Sequence, residues 1–171
     1  MIRVARAKDA ESIAGLCAQL GYKTSSEEVE LRLNEALKDG HSAVYSADFD
    51  GKILGWLQAA SSQTIESGRC AEITGLVVDK AARGKGIGRS LVQQAEEWGR
   101  MMEQKNIRVR TNIKRKDAPL FYRALGFNEV KKQFVFDKSV VSLQQFNPPV
   151  GLNESLACFP CDPVLDQSCI F

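Results

Sequence analysis

The sequence predicts an α/β (α+β) domain: a mixed central β-sheet of six to seven strands flanked by about four helices, followed by a C-terminal extension. Three observations predict it. Apolar runs of strand type alternate with segments of helical spacing in the order β-α-α-β-β-β-α-β-α-β-β, with no internal repeat. The 171 residues, 44% apolar and 26% charged, make about one domain of ordinary globular composition. Every Lys and Arg lies at or before Lys138, which sets the last segment apart.

Ile2 to Ala7 alternates like a short strand, and Asp9 is placed to cap a helix running through about Gln19, with Ile13, Leu16, Cys17 and Leu20 on one face. Ser25-Ser26-Glu27-Glu28 has the form of a capping box and opens a second helix bearing Val29, Leu33, Ala36 and Leu37. Ser42 to Phe49 and Lys52 to Ala60 read as strands joined through Asp50-Gly51, a strong hairpin signal. Cys70 to Val78 is another strand, ending in the continuous apolar run expected at a sheet centre. From about Gly86 to Gln104, Ile87, Leu91, Val92, Ala95, Trp98 and Met102 recur at helical spacing. Ile107 to Thr111 is a short strand, and Asp117 to Leu125 a short helix closed by Gly126. Phe127 to Val130 and Gln133 to Phe136 read as two final strands.

Charge and composition exclude several classes of partner. With 23 basic and 21 acidic residues the net charge is only +2, which gives no electrostatic case for nucleic acid or a membrane surface. No apolar run reaches the roughly 18 residues of a membrane span, and Met1-Ile2-Arg3-Val4 lacks the apolar stretch of a secretion signal, so a cytoplasmic protein is expected. Residues 1–138 hold 23 basic against 18 acidic residues, whereas residues 139–171 carry only Glu154, Asp162 and Asp166 with four of the five prolines. That divides the chain into a domain, 1–138, and an extension, 139–171, whose Leu152, Leu156, Phe159, Val164, Leu165, Ile170 and Phe171 are too apolar for a solvated linker. The extension is therefore expected to pack on the domain or on a partner subunit. Cys158 and Cys161 form a C-x-x-C, with Cys169 nearby. With a single histidine, His41, and no second C-x-x-C, a metal site lacks ligands, and none is expected.

The most informative stretch is Leu76-Val77-Val78-Asp79-Lys80-Ala81-Ala82-Arg83-Gly84-Lys85-Gly86-Ile87-Gly88-Arg89: a buried strand, a basic glycine loop and a helix start. Such a turn converges main-chain N–H groups on the positive end of a helix dipole, an arrangement that favours phosphate or diphosphate. Spacing separates the loops that share this logic. G-x-x-x-x-G-K-[ST] fails because the residue five after Gly84 is Arg89 and neither Gly-Lys pair precedes Ser or Thr. G-x-G-x-x-G fails because, after Gly84 and Gly86, the third position is Arg89. The stretch from Arg83 to Gly88 does fit [RQ]-x-x-G-x-[GA].

Here the chain resembles the GNAT superfamily of acyl-CoA-dependent N-acetyltransferases, including its bacterial small-molecule members such as the aminoglycoside 6'-type. The resemblance covers residues 1 to about 138. A second motif carries it: Ala118-Pro119-Leu120-Phe121-Tyr122-Arg123-Ala124-Leu125-Gly126-Phe127 is similar to the family's aromatic-rich helix ending in L-G-F or L-G-Y. The implied cofactor is acetyl-CoA and the implied reaction is direct attack of an amine in a ternary complex, without a covalent enzyme intermediate, so Cys70 is not needed as a nucleophile. The resemblance also implies site residues. The main chain of Leu76, Val77 and Val78 would pair with the pantetheine arm, and an amide near Val77 would face the thioester oxygen. The amides of Arg83, Gly84, Lys85, Gly86, Ile87, Gly88 and Arg89 would cradle the diphosphate, and Asn112 would bind pantetheine or a water where two strands part. Tyr122 matches the tyrosine that protonates the departing thiolate, a phenol near pKa 10 serving a thiol near 8.5.

A free amine is mostly protonated at neutral pH, so a base or a water chain is required beside the acceptor. Glu72 is the candidate base, on the strand leading to the cofactor. Unbroken alternation puts Glu72, Thr74, Leu76 and Val78 on one face unless a bulge intervenes. His41, before a strand and remote from both motifs, is the poorer choice. The family builds its acceptor half from the first two helices, here Cys17 to Leu37, and the turn near Gln63 to Gly68, where Glu27, Glu28, Glu30 and Glu66 could attract a cationic amine. Trp56 and Trp98 read as core. The family's frequent pairing through C-terminal strands implies a homodimer. A reading of a different class keeps the fold and the ligand without turnover: a catalytically silent CoA-binding sensor or interaction module.

Overall fold

The computed structural model describes residues 1–139. The chain divides into two compact units, Met1–Val130 and Lys131–Phe171. Of the second, residues 131–139 are described and carry no helix or strand. The expectations for the extension, including Cys158, Cys161 and Cys169, lie outside the described residues.

The first unit is built on a five-stranded sheet in sequential order: β1 (Ile2–Val4), β2 (Ser42–Phe49), β3 (Lys52–Thr64), β4 (Gly68–Val78) and β5 (Ile107–Val109). All neighbours run antiparallel except β4 and β5, which are parallel. Four helices accompany it: α1 (Ala10–Gln19), α2 (Ser26–Lys38), α3 (Ile87–Met101) and α4 (Asp117–Ala124). The β2–β3 hairpin closes through Asp50 and Gly51, both at positive φ (53° and 83°), as a tight turn matched to strand twist requires. The capping box of α2 is complete: Glu28 N donates to Ser25 Oγ, and Ser25 N donates to Glu28 Oε2, each at 3.2 Å.

Helices cover both faces of the sheet. Leu91, Val92, Ala95 and Trp98 of α3 pack against Leu57, Ala59, Ala71 and Ile73 on one face. On the other, Ile13 of α1 meets Val29 and Leu33 of α2 with Val44, and Leu16 meets Ile53 and Val77. Leu57 and Leu91 are fully buried, and each such side chain contributes about 1.5–3 kcal/mol of transfer free energy.

Three expectations change. Asp9 stands at the N-cap position of α1 but makes no side-chain cap bond to it: a 3-10 turn over Ala7–Asp9 comes first, and the carboxylate caps that turn through Arg6 N. It is buried instead among stronger donors, accepting from Arg3 Nη1 (2.7 Å) and Nη2 (2.8 Å), Arg6 N (2.9 Å) and Ser46 Oγ (3.0 Å). Neither 127–130 nor 133–136 forms a strand, so the described sheet has five strands rather than six or seven. A β-prone run becomes a strand only where a neighbour takes up its main-chain groups, and that partner is not written in the run itself.

The third change concerns β4. Gln58 pairs with Gly75 and Ala59 with Ile73, so Thr74 is an extra residue on β4, a β-bulge. Ala71 and Ile73 face α3 before the bulge, and Leu76 and Val78 do so after it. Val77 packs with Leu16 on the opposite face. The bulge that breaks strand alternation is therefore present, and Glu72 lies on the α1–α2 side rather than on the face of Leu76 and Val78.

Candidate functional site

The bulge coincides with the point where the sheet opens. β4 and β5 pair only at Ala71–Ile107, Glu72–Arg108 and Ile73–Val109, and beyond these the two chains part. A cavity of about 1590 Å³ occupies the opening. The loop after β4, the start of α3, the segment 109–118 and α4 line one half; α1, α2 and β3 line the other.

The loop is shaped for an anion. Asp79 Oδ1 accepts from Ala81 N (2.8 Å) and fixes a 3-10 turn over Lys80–Ala82. Gly84 (φ 77°) and Gly86 (φ 79°) then reverse the chain in a conformation that side chains disfavour. A Cβ on either would meet nothing within 4 Å, so the turn faces open space. Gly86 is the N-cap of α3 and brings no side-chain acceptor. Ser90 N is the first amide to close onto the helix, at 3.1 Å from Gly86 O. The amides of Ile87, Gly88 and Arg89 have no intrahelical partner and stand at the positive end of the dipole. Arg83 folds back, its Nε donating to Val78 O at 3.2 Å. Arg83, Gly84, Gly86, Ile87, Gly88 and Arg89 line the cavity; Lys85 does not.

Leu76, Val77, Val78, Asn112 and Tyr122 also line it. Asn112 is engaged in a turn: its Oδ1 accepts from Lys114 N and its main-chain O from Arg115 N, both at 2.9 Å. α4 ends at Gly126 (φ 89°), where Gly126 N donates to Arg123 O and Phe127 N to Tyr122 O, both at 3.0 Å. This cap explains the Leu-Gly-Phe sequence physically. It turns Phe127 back onto Tyr122, whose ring sits edge-on to Phe121 (5.0 Å between centroids) and Phe127 (5.5 Å). Burial pushes the Tyr122 phenol up to about 12, against a partial pull downward from Arg115.

Residues 9–127 match the family model described as Acetyltransferase (GNAT) family. The chain belongs to that family. Its sequence is 30% identical over 128 residues to the Uncharacterized N-acetyltransferase YjgM of Escherichia coli K12, covering 75% of this chain and 74% of that one. It is 28% identical over 95 residues to the Uncharacterized N-acetyltransferase MJ1207 of Methanocaldococcus jannaschii, covering 54% of this chain but only 42% of that longer relative. Among solved structures, the aminoglycoside N-acetyltransferase AAC(6')-Iy in complex with CoA superposes with a TM-score of 0.70 at 22% identity, over 82% of this chain and all of the other. That likeness is one of GNAT fold. Among the described residues no helix is long and apolar enough to cross a membrane.

Against the GNAT frame, the acceptor side differs from the sequence reading. Glu72 is buried, does not line the cavity, and is ion-paired with Arg110, which does. Arg110 carried no signal in the sequence, because its pairing depends on the register of β4 against β5. His41 lies off the cavity, on the turn before β2, its main-chain N–H donating to Asp39 Oδ1 at 3.1 Å. Glu27, Glu28, Glu30 and Glu66 do not line the cavity either. Trp98 is core, but Trp56 lines the cavity, lying against β4 where a Cβ at Gly75 would be 2.6 Å from its Cη2. Gln19, at the end of α1, joins the two halves: its Nε2 donates to Asp79 Oδ2 (3.0 Å) and its Oε1 accepts from Lys80 N (3.1 Å).

Proposed function

We propose that the chain transfers an acetyl group from acetyl-CoA to a primary amine of a small molecule or peptide, by direct attack in a ternary complex with no covalent enzyme intermediate. The observation that carries this reading is the parting of β4 from β5 beside the glycine-capped start of α3. One cavity joins a strand edge without a ladder partner to a row of helix amides without partners. A ligand with an amide-bearing arm and a diphosphate is complementary to both: the arm adds to the edge at Leu76, Val77 and Val78, and the diphosphate takes the amides between Arg83 and Arg89. The guanidinium groups of Arg83 and Arg89 and the ammonium of Lys85 add full positive charge. The open space facing Gly84 and Gly86 is the room such a group needs.

When bound, acetyl-CoA supplies an acyl group already activated as a thioester. The remaining work falls to this chain. An amide near Val77, on the edge of β4 turned away from β3, is the donor assigned to the thioester oxygen. Asn112 holds the turn that follows β5 through its Oδ1 and main-chain oxygen, and its side-chain NH2 is available to the pantetheine arm or to a water. Tyr122 keeps its proton up to about pH 12 and so remains a donor for a thiolate at any physiological pH. Against a thiol near 8.5 the gap is about 3.5 pH units, or roughly 5 kcal/mol for complete proton transfer. Tyr122 therefore acts as a hydrogen-bond donor that assists departure rather than by full ionisation. Glu72, behind Arg110, acts as a positioning residue, and the amine's proton leaves through water.

The test is calorimetric titration of the full chain with CoA together with thiol release from acetyl-CoA across a panel of amines. Binding with amine-dependent release, slowed by Tyr122→Phe, supports the reading. Binding without release from any amine would instead make the protein a CoA-binding sensor or interaction module.

A further inference from the structure

The half of the cavity formed by α1, α2 and β3 has a charge pattern of its own. Its charged side chains are Lys23 and Arg32, and among the described residues the cavity's single carboxylate is Asp117, on the far side at the start of α4. The acids of α2 are turned to other uses or away: Glu28 closes the capping box and accepts from Thr24 Oγ1 at 2.8 Å. Arg32 Nη1 donates to Thr24 Oγ1 at 3.2 Å, and its Nη2 forms a long, exposed ion pair with Glu28 at 3.8 Å, the kind that contributes little. Lys23 has no ion pair among the described residues. Arg110, by contrast, is already paired with Glu72. The positive charge at the mouth between α1 and α2 is thus Lys23, without an ion pair, beside Arg32, held only in a long, solvent-exposed pair with Glu28. Below it the wall is apolar, with Cys17, Leu20, Leu33 and Trp56, and carries one buried donor without a partner, the indole N–H of Trp56.

A polycation entering here would meet two like charges and, among the residues lining this half, no carboxylate. A molecule with an anionic group would find both charges in place, and an apolar body would cover the wall beneath. Taking the cavity as an acyl-transfer site, we propose that the acceptor is a small primary amine with an apolar body and a carboxylate or phosphate, the anionic group being held by Lys23 and Arg32. This is the opposite of the cationic acceptor suggested by the acidic residues of the sequence.

The experiment compares leucine, its aminophosphonate analogue, leucinamide and spermidine in thiol release by the full chain at saturating acetyl-CoA. The expected kcat/KM for leucine or the phosphonate exceeds that for leucinamide and spermidine by about ten-fold or more, the factor that one charge-assisted contact supplies. The ranking of the first two separates carboxylate from phosphate. The less basic amine of leucinamide offers more free base, so any bias runs against this result. Lys23→Gln with Arg32→Gln is expected to bring the anionic substrates down to the level of the amide while CoA affinity, measured by calorimetry, holds. A readout without turnover is ligand-observed NMR, in which N-acetylleucine binds and N-acetylleucinamide does not, and the double variant loses the difference. Equal or inverted preference, with CoA bound and thiol released, overturns the anionic acceptor and leaves the acyl-transfer reading standing. Absence of CoA binding, or of release with every amine, overturns that reading and this proposal together.

Discussion

A Cβ at Gly88 would stand 3.1 Å from Cζ of Phe121 and 3.2 Å from its Cε2, so the aromatic ring of α4 rests on the bare first turn of α3. The same would-be Cβ lies 3.7 Å from Val78 at the end of β4. Strand end, amide-bearing helix start and tyrosine-bearing helix therefore converge on one glycine. The adjacent residue, Tyr122, inherits its position from that contact.

Gly88→Ala tests the convergence. Alanine gains up to about 1 kcal/mol of helix propensity over glycine, while crowding a packed ring costs about 1–3 kcal/mol. The net loss expected in urea denaturation is about 0–2 kcal/mol. Activity is expected to fall further, on the order of ten-fold or more, because a displacement of the neighbouring reactive group is costly. Phe121→Leu, which makes room, is expected to restore part of the rate in the double variant, and strictly additive effects would refute the coupling.

Tyr122→Phe removes one hydroxyl and leaves the aromatic packing. The expected result is a kcat lowered by about 10- to 100-fold, toward the low end of general acid effects, with little change in KM for acetyl-CoA. The phenol is pushed up to about 12, so no fall in rate between pH 7 and 10 should trace to its ionisation. The stability sign is fixed by the same shift. The unfolded phenol ionises near pH 10 and the folded one near 12, so the contribution is fully present below pH 10 and is lost as pH rises through that window. Base-induced unfolding followed by circular dichroism should be less steep between pH 10 and 12 in the variant.

What was legible in the sequence is what neighbouring residues decide among themselves. The glycine loop, the Ser25–Glu28 capping box, the Asp50-Gly51 hairpin and the apolar stripe of α3 are local, and each is found as expected. What depended on register was not legible. The extra residue at Thr74 exists only relative to β3, yet it turns Glu72 away from the side of Leu76 and Val78. The pairing of Glu72 with Arg110 depends likewise on β4 lying beside β5. Helix starts favour aspartate, which makes Asp9 read as a cap; Arg3, only six residues earlier, holds it instead because β1 and the turn after it fold the two side chains together.

Glu72→Gln separates positioning from proton transfer. If the carboxylate only holds Arg110, replacing a charge-assisted contact with a neutral one costs about 1 kcal/mol, a fall in kcat of roughly five-fold. The shape of the pH–rate profile should not change. Loss of the low-pH limb in the variant would make Glu72 the proton acceptor and reject the positioning role. Arg110→Gln should produce a similar defect, with the double variant no worse than either single one.

The buried carboxylate of Asp9 should govern acid stability. Burial alone would push it up, but hydrogen bonds from Arg3, Arg6 N–H and Ser46 and the Arg3 charge outweigh that and hold it below the usual carboxylate range. Asp48, hydrogen-bonded by the same Arg3, is also held low. For a depressed carboxyl the unfolded chain binds the proton first. The stabilisation is therefore complete above the unfolded pKa of about 4 and drains away as pH falls below it through the lower folded value. Asp9→Ala is expected to cost about 3–5 kcal/mol at neutral pH, the usual loss when a buried pair is broken and its charge left alone. Asp9→Asn should cost less, since its side-chain oxygen can still accept. In both variants the dependence of stability on pH below about 4 should flatten relative to the unsubstituted chain, as read from urea midpoints at stepped pH. Because this cluster ties β1 and β2 to the start of α1, and α1 carries Gln19 to the loop beyond β4, the same variants should weaken CoA binding before the chain unfolds. An unaltered CoA affinity in a destabilised Asp9→Asn protein would show that the loop holds its shape without α1.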